Sequence, residues 1–153
     1  MKIRIITVGN KPDIWLQDGI KSYIKKFPNF TKLEWVEIKS EKKFSSIENK
    51  KKEEAQRIKA HIKGADYICL DERGTSFSSL NFSSKLQNWL QNFSTITFVI
   101  GGADGLDSQL LKESIENISL SKMTLPHHTV KLILIEQIFR AFSILNNHPY
   151  HRE

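Results

Sequence analysis

Leu120 to Glu153 reads LSKMTLPHHTVKLILIEQIFRAFSILNNHPYHRE, and the fold turns on how its middle is read. The run Thr129 to Ile135, TVKLILI, is β-branched enough for a buried strand and apolar enough for a buried helix, so periodicity alone leaves both open. Length favours the helix, because the apolar run continues through Phe139 and Phe142, further than a strand normally lasts. Between Val130 and Leu145, the residues Gln137, Arg140 and Ser143 recur at three-residue spacing. A helix there keeps one narrow polar stripe and is otherwise buried. The tail then places His148, Tyr150, His151 and Arg152 within its last six positions, a dense set of donors and titratable groups for a chain end that would ordinarily fray.

Working outward, the preceding chain alternates short β-branched runs with helical periodicity. Ile3, Ile5, Ile6 and Val8 read as a strand ending at Gly9; Leu16, Ile20, Tyr23, Ile24 and Phe27 then keep helical spacing from Pro12 to Pro28. Leu33 to Ile38 is a second strand. A lysine-rich link leads to a helix carrying Ala55, Ile58 and Ile62, with a solvated face of lysines and glutamates and Gly64 as its cap. Tyr67 to Leu70 is a third strand ending in Asp71-Glu72-Arg73-Gly74, followed by a helix on Phe82, Leu86, Trp89, Leu90 and Phe93. Thr95 to Ile100 is the best strand and runs into GGADG; Asp107 caps a helix whose face is Leu110, Leu111, Ile115 and Ile118. Leu120 to Leu125 is then a last short strand. The alternation predicts an α/β domain with a largely parallel sheet and helices on both faces.

With 153 residues and no flexible linker or repeat, the chain reads as one domain spanning 1–153. Its net charge of +6 raises the odds of a polyanionic partner such as RNA. Cys69 is the only cysteine, which excludes an intramolecular disulfide and any cysteine-rich zinc or iron–sulfur site within one chain. No stretch has the length of a membrane span and the N-terminus lacks a signal-peptide pattern, so the expectation is a cytoplasmic protein.

The glycine loop after Ile100 sits where a parallel sheet places a ligand, yet neither the dinucleotide fingerprint nor the P-loop motif occurs. The histidines lack metal-ligand spacing, and His127 and His128, being adjacent, would diverge, so no metal is expected. There is no nucleophile elbow. Trp15, Trp35 and Trp89 read as core residues rather than base-stacking platforms. From residues alone the chain is a basic α/β protein with a ligand loop near Gly102 and a reactive-looking tail.

A resemblance carries further. IGGADG at Ile100 to Gly105, LSKMTLPH at Leu120 to His127 and RAFSILNNHPYHRE at Arg140 to Glu153 resemble the bacterial large-subunit rRNA pseudouridine-N3 methyltransferases of the SPOUT superfamily. KIRIITVGN, LDERG and SSLNF are similar too, so the resemblance spans the chain, with NHPYHRE its most specific element. It implies a SPOUT α/β fold with a C-terminal trefoil knot, and a homodimer that uses S-adenosylmethionine. The implied reaction is methylation of N3 of a pseudouridine in the helix 69 stem-loop of 23S rRNA on the assembled ribosome. By the same resemblance, Leu70, Gly102, Ser121, Lys122, Met123, Thr124, Leu125 and Pro126 would bind the cofactor, and no metal is needed. His151 or Tyr150 would serve as or position the base, and Arg152 would hold a phosphate or the developing anionic base. The chain departs from the family at Thr75, where members often have lysine, and at Phe142, where tryptophan is frequent. Two other readings fit the same features: a non-catalytic ribosome- or RNA-binding protein on this fold, and a SPOUT methyltransferase acting on tRNA.

Overall fold

The computed structural model describes residues 1–40, 43 and 46–152; Glu153, which closes the NHPYHRE motif, and part of the lysine-rich link lie outside them. Five strands, β1 (Lys2–Val8), β2 (Lys32–Ile38), β3 (Ile68–Ser76), β4 (Thr95–Ile100) and β5 (Glu116–Ser119), form one parallel sheet in the order β2-β1-β4-β3-β5. The helices are α1 (Ile14–Ile24), α2 (Ile47–Ile62), α3 (Ser79–Asn92), α4 (Ser108–Glu113) and α5 (His127–Leu145).

Strand alternation divides the core. Ile3, Ile5, Ile68, Leu70, Ile96, Phe98 and Ile100 face one side of the sheet and pack with α1, α3 and α5; Ile6, Val8, Cys69 and Val99 face the other and pack with α2 and α4. Both faces are thus covered, as the near-continuous apolar strands require of a parallel sheet. Thr129 to Ile135 is helical: α5 lies against α1 and α3, and Leu134, Ile135 and Ile138 are fully buried.

Several expectations are corrected. The third strand does not stop at Leu70. It crosses an irregular stretch and pairs again with β5 at Thr75 and Ser76. Ile115 and Ile118 are not on a helix face: α4 ends at Glu113, where Ser114 turns extended and its hydroxyl bonds the carbonyl of Leu111 and the side chain of Asn117. The last strand is therefore Glu116–Ser119 rather than Leu120 to Leu125, which forms a loop. On α2 the left-handed C-cap is Lys63, one residue before Gly64, and Glu54 is buried rather than solvated. Trp89 is buried and Trp35 packs against the core, but Trp15 is 64% exposed. Ser143, expected on the polar stripe of α5, is buried and returns its hydroxyl to the carbonyl of Phe139 at 3.0 Å.

Lys131, on α5, is fully buried, and its Nζ has no hydrogen-bond partner among the described residues. Burial lowers its pKa, with the charge of Glu37 opposing. An unfolded lysine titrates near ~10.4, so between the lowered folded value and that point the unfolded chain binds the proton more readily, and stability rises with pH across this window. Lys131→Met is expected to stabilise the fold by about 1–3 kcal/mol at neutral pH. Urea denaturation at pH 7 and above pH ~10 checks this: the gain should shrink at the higher pH, where the wild-type amine is neutral in both states.

Candidate active site

A cavity of about 470 Å³ opens at the carboxyl ends of β4 and β5 beside the irregular middle of β3, the end of the sheet at which parallel α/β sheets bind ligands. Three loops and the start of α5 wall it. Leu70 and the Asp71–Arg73 turn come from β3, Gly101 to Gly105 from β4, and Leu120 to Leu125 from β5. Its lining is mixed: Leu70, Ile100, Ile118, Leu120, Leu125 and Val130 are apolar, and Lys51, Asp71, Glu72, Arg73 and Asp104 are charged.

Each loop is held by local bonds. Asp71 accepts from the backbone N–H of Arg73 at 2.8 Å and from its Nε at 3.2 Å. Burial works to raise the Asp71 carboxyl, but the bonds and charge of Arg73 outweigh it and leave the group below its ordinary value. In the glycine loop, Gly105 N–H donates to the carbonyl of Gly102 at 3.0 Å, and Lys50 on α2 ties the loop down through Asp104 at 2.9 Å. Ser119 Oγ donates to the carbonyl of Ser121, and Ser121 Oγ accepts from the N–H of Met123 at 2.9 Å. Thr124 Oγ1 donates to Glu72 at 2.9 Å, joining the third loop to the first across the rim.

Of the expected cofactor residues, Leu70, Gly102, Ser121, Met123, Thr124 and Leu125 all line this cavity. Lys122 and Pro126 do not: both are exposed, and Pro126 serves as the N-cap of α5. His127, not anticipated, also forms wall. Its Nε2 would lie 2.6 Å from a Cβ at Gly9, whose φ of +139° itself favours glycine at that position. Burial pushes the His127 imidazole down to about 4, the charges of His128 and Lys131 acting in the same direction, so it is neutral at pH 7.

The tail is ordered by α5 rather than by the cavity. The Tyr150 ring packs on Phe139 at 4.7 Å between centroids, and the Arg140 guanidinium lies over its face at 4.8 Å. Its hydroxyl is 3.0 Å from Glu136 Oε1 and 3.3 Å from Tyr23 Oη. Because the carboxylate can only accept, Tyr150 donates to Glu136 and accepts from Tyr23. Burial, then these hydrogen bonds, push the Tyr150 phenol well above its usual range. Glu136 also pairs with Arg140, whose NH1 is 3.2 Å from His151 Nδ1. A guanidinium only donates, so Nδ1 is the accepting nitrogen and a neutral His151 carries its proton on Nε2. Arg152 is exposed.

Tail and cavity are not brought together within one chain. Glu136 lies nine residues beyond His127, about 14 Å along the helix axis. Residue-by-residue reading missed Glu136 and Tyr23. The available signal was Glu136 and Arg140, opposite charges one turn apart within an otherwise apolar helix. Among the described residues no His, Cys, Asp and Glu cluster could hold a metal ion, and no helix is long and apolar enough to cross a membrane.

A parallel α/β sheet with a loop-walled cavity at its carboxyl end and a glycine loop outside the dinucleotide pattern defines a class, and comparison with known proteins identifies it. The model of predicted SPOUT methyltransferases matches residues 1–151, and the chain belongs to that family. It is 43% identical to the ribosomal RNA large subunit methyltransferase H of Hydrogenovibrio crunogenus and 42% identical to that of Methylobacillus flagellatus, over the full length of both partners in each case. A probable methylase family protein from Haemophilus influenzae Rd KW20 shares the fold at a TM-score of 0.56, over 99% of this chain and 70% of that one, with 13% identity.

Proposed function

We propose that the chain methylates N3 of a pseudouridine in the helix 69 stem-loop of 23S rRNA, using S-adenosylmethionine and acting in the cytoplasm on the assembled ribosome. The observation that carries this is the cavity, where six of the eight residues expected to bind the cofactor meet in a family whose full-length relatives bear an rRNA methyltransferase name. The apolar part of its lining, Leu70, Ile100, Leu125 and Val130 beside the backbone of the glycine and Leu120–Leu125 loops, suits an adenine ring that needs an apolar slot and main-chain hydrogen bonds.

When bound, the sulfonium supplies an already activated methyl group, which leaves the protein to align the nitrogen and accept its proton. Tyr150 Oη, donating to Glu136, can accept the N3 proton while passing its own to the carboxylate. The His151 ring, with Nδ1 facing Arg140, is held beside Tyr150, where it can position the reacting base. Arg152, exposed at the end of the tail, suits a phosphate. The separation of tail and cavity along α5 supports a homodimer in which one protomer's tail faces its partner's cavity. A small chain with modest charge also makes recognition depend on ribosomal context.

Mass mapping of methylated nucleosides, after undermethylated ribosomes are incubated with the protein and labelled cofactor, tests reaction and substrate together. Label appearing on tRNA, or equal rates on ribosomes and free 23S rRNA, would contradict the reading. Failure of calorimetry to detect cofactor binding with ribosomes present would favour a pure binding module. In the same assay Tyr150→Phe and His151→Ala should each lower turnover per bound ribosome about tenfold or more. If both turn over at the wild-type rate, the catalytic assignment of the tail is lost.

A further inference from the structure

Toward the far end of α5 from the cavity, a second hollow of about 490 Å³ lies between the turn after α1 and the tail. Its floor is aromatic, formed by the buried Phe139 and Phe142 with the Tyr150 ring, and its outer lip is Phe30, 63% exposed. An exposed phenylalanine beside an apolar hollow calls for a partner with a flat apolar face. The Lys26 ammonium sits at the edge of this surface, 5.3 Å from the Tyr23 ring centroid and 6.0 Å from that of Phe139.

Charge narrows the choice of occupant. From Gly19 to Leu33 the chain carries Lys21, Lys25, Lys26 and Lys32 and no acidic residue, and among the described residues no carboxylate lines the hollow. Contact of this patch with its own copy across a two-fold axis would set lysine against lysine. A strand of nucleic acid answers both features at once, because each unpaired base offers a neutral π-face and each phosphate a charge for a lysine.

We propose that this hollow holds an unpaired base of the RNA substrate, stacked on Phe30 over the aromatic floor, while the lysines of the α1 end and the following turn take the flanking phosphates. The proposal rests on the reading of the chain as an rRNA methyltransferase and adds a second point of grip. Tyr150 belongs both to the wall of this hollow and to the tail cluster, so a strand that meets the tail passes directly over it.

The test compares wild type, Phe30→Ala and Phe30→Trp by fluorescence anisotropy with a labelled single-stranded oligoribonucleotide and a duplex of equal length. Phe30→Ala should weaken single-strand binding about tenfold, Phe30→Trp should retain it, and duplex binding should change little. In methyl transfer to ribosomes, Phe30→Ala should raise KM with kcat unchanged. Unchanged single-strand affinity with unchanged KM would overturn the proposal, as would a lower mass of Phe30→Ala in sedimentation, which marks the hollow as a contact between copies. The two readings fail separately. Absent methyl transfer with a Phe30-dependent loss of RNA affinity removes the proposed reaction and leaves the base site standing; methyl transfer with both KM and single-strand affinity at wild-type values in Phe30→Ala does the reverse.

Discussion

Glu136→Gln is expected to lower the proposed methyl transfer to ribosomes about a hundredfold or more, while affinity for S-adenosylmethionine, measured by calorimetry, should stay within about twofold. The residue accepts the Tyr150 hydroxyl at 3.0 Å and Arg140 Nε at 3.0 Å, and Arg140 in turn faces His151. Glutamine keeps the shape but cannot take a proton, and its amide nitrogen repels whichever donor it meets. One substitution thus removes the proposed proton acceptor and loosens both tail residues, whereas Tyr150→Phe removes one hydroxyl alone. The cofactor side is spared because Glu136 does not line the cavity. Thermal denaturation of the same variant separates chemistry from folding: a folded protein with wild-type turnover would eliminate Glu136 from the mechanism.

Gly74→Ala is expected to destabilise the fold by about 2–4 kcal/mol and to weaken binding of the proposed cofactor by about tenfold or more. A Cβ on Gly74 would stand 2.6 Å from the carbonyl oxygen of Asn117, 2.7 Å from its carbon and 2.9 Å from the carbonyl carbon of Ile118. These atoms are the backbone of β5, which has no rotamer to change, so either β5 or the irregular stretch of β3 must move. That stretch is where β3 leaves β5 after Leu70 and rejoins it at Thr75. Displacing it shifts the Asp71–Arg73 turn and, through the Glu72–Thr124 bond, the loop on the opposite rim of the cavity. Urea denaturation and calorimetry on one preparation check both halves; wild-type stability in the alanine variant would show that the β3–β5 crossing tolerates a methyl group.

The contact at Gly74 also shows where the amino-acid sequence stops being informative. Read locally, LDERG is a polar loop after a short strand, and nothing in the five residues reveals that the chain regains register with a strand more than forty positions later. The same blindness moved β5: Ile115 and Ile118 have helical spacing with Leu110 and Leu111, yet the vacancy beside β3 draws Glu116–Ser119 into the sheet. Pairing between distant segments is decided by which edge is open, and local periodicity carries no record of that.

What the sequence determined by itself were the properties set by local chemistry. These are the alternation of strand and helix, the helical state of Val130 to Leu145 from its length, and the glycine loop after Ile100 as ligand-capable. Only the tertiary structure decided which residues meet. It joined Tyr150 to Glu136 and Tyr23, closed the cavity across Glu72 and Thr124, and buried the lone ammonium of Lys131 inside a helix that looked merely apolar. It also held tail and cavity apart along α5. Backbone preference acts over a few neighbouring residues, whereas proton transfer and ligand enclosure depend on distances of about 3 Å between groups that the chain brings together only by folding.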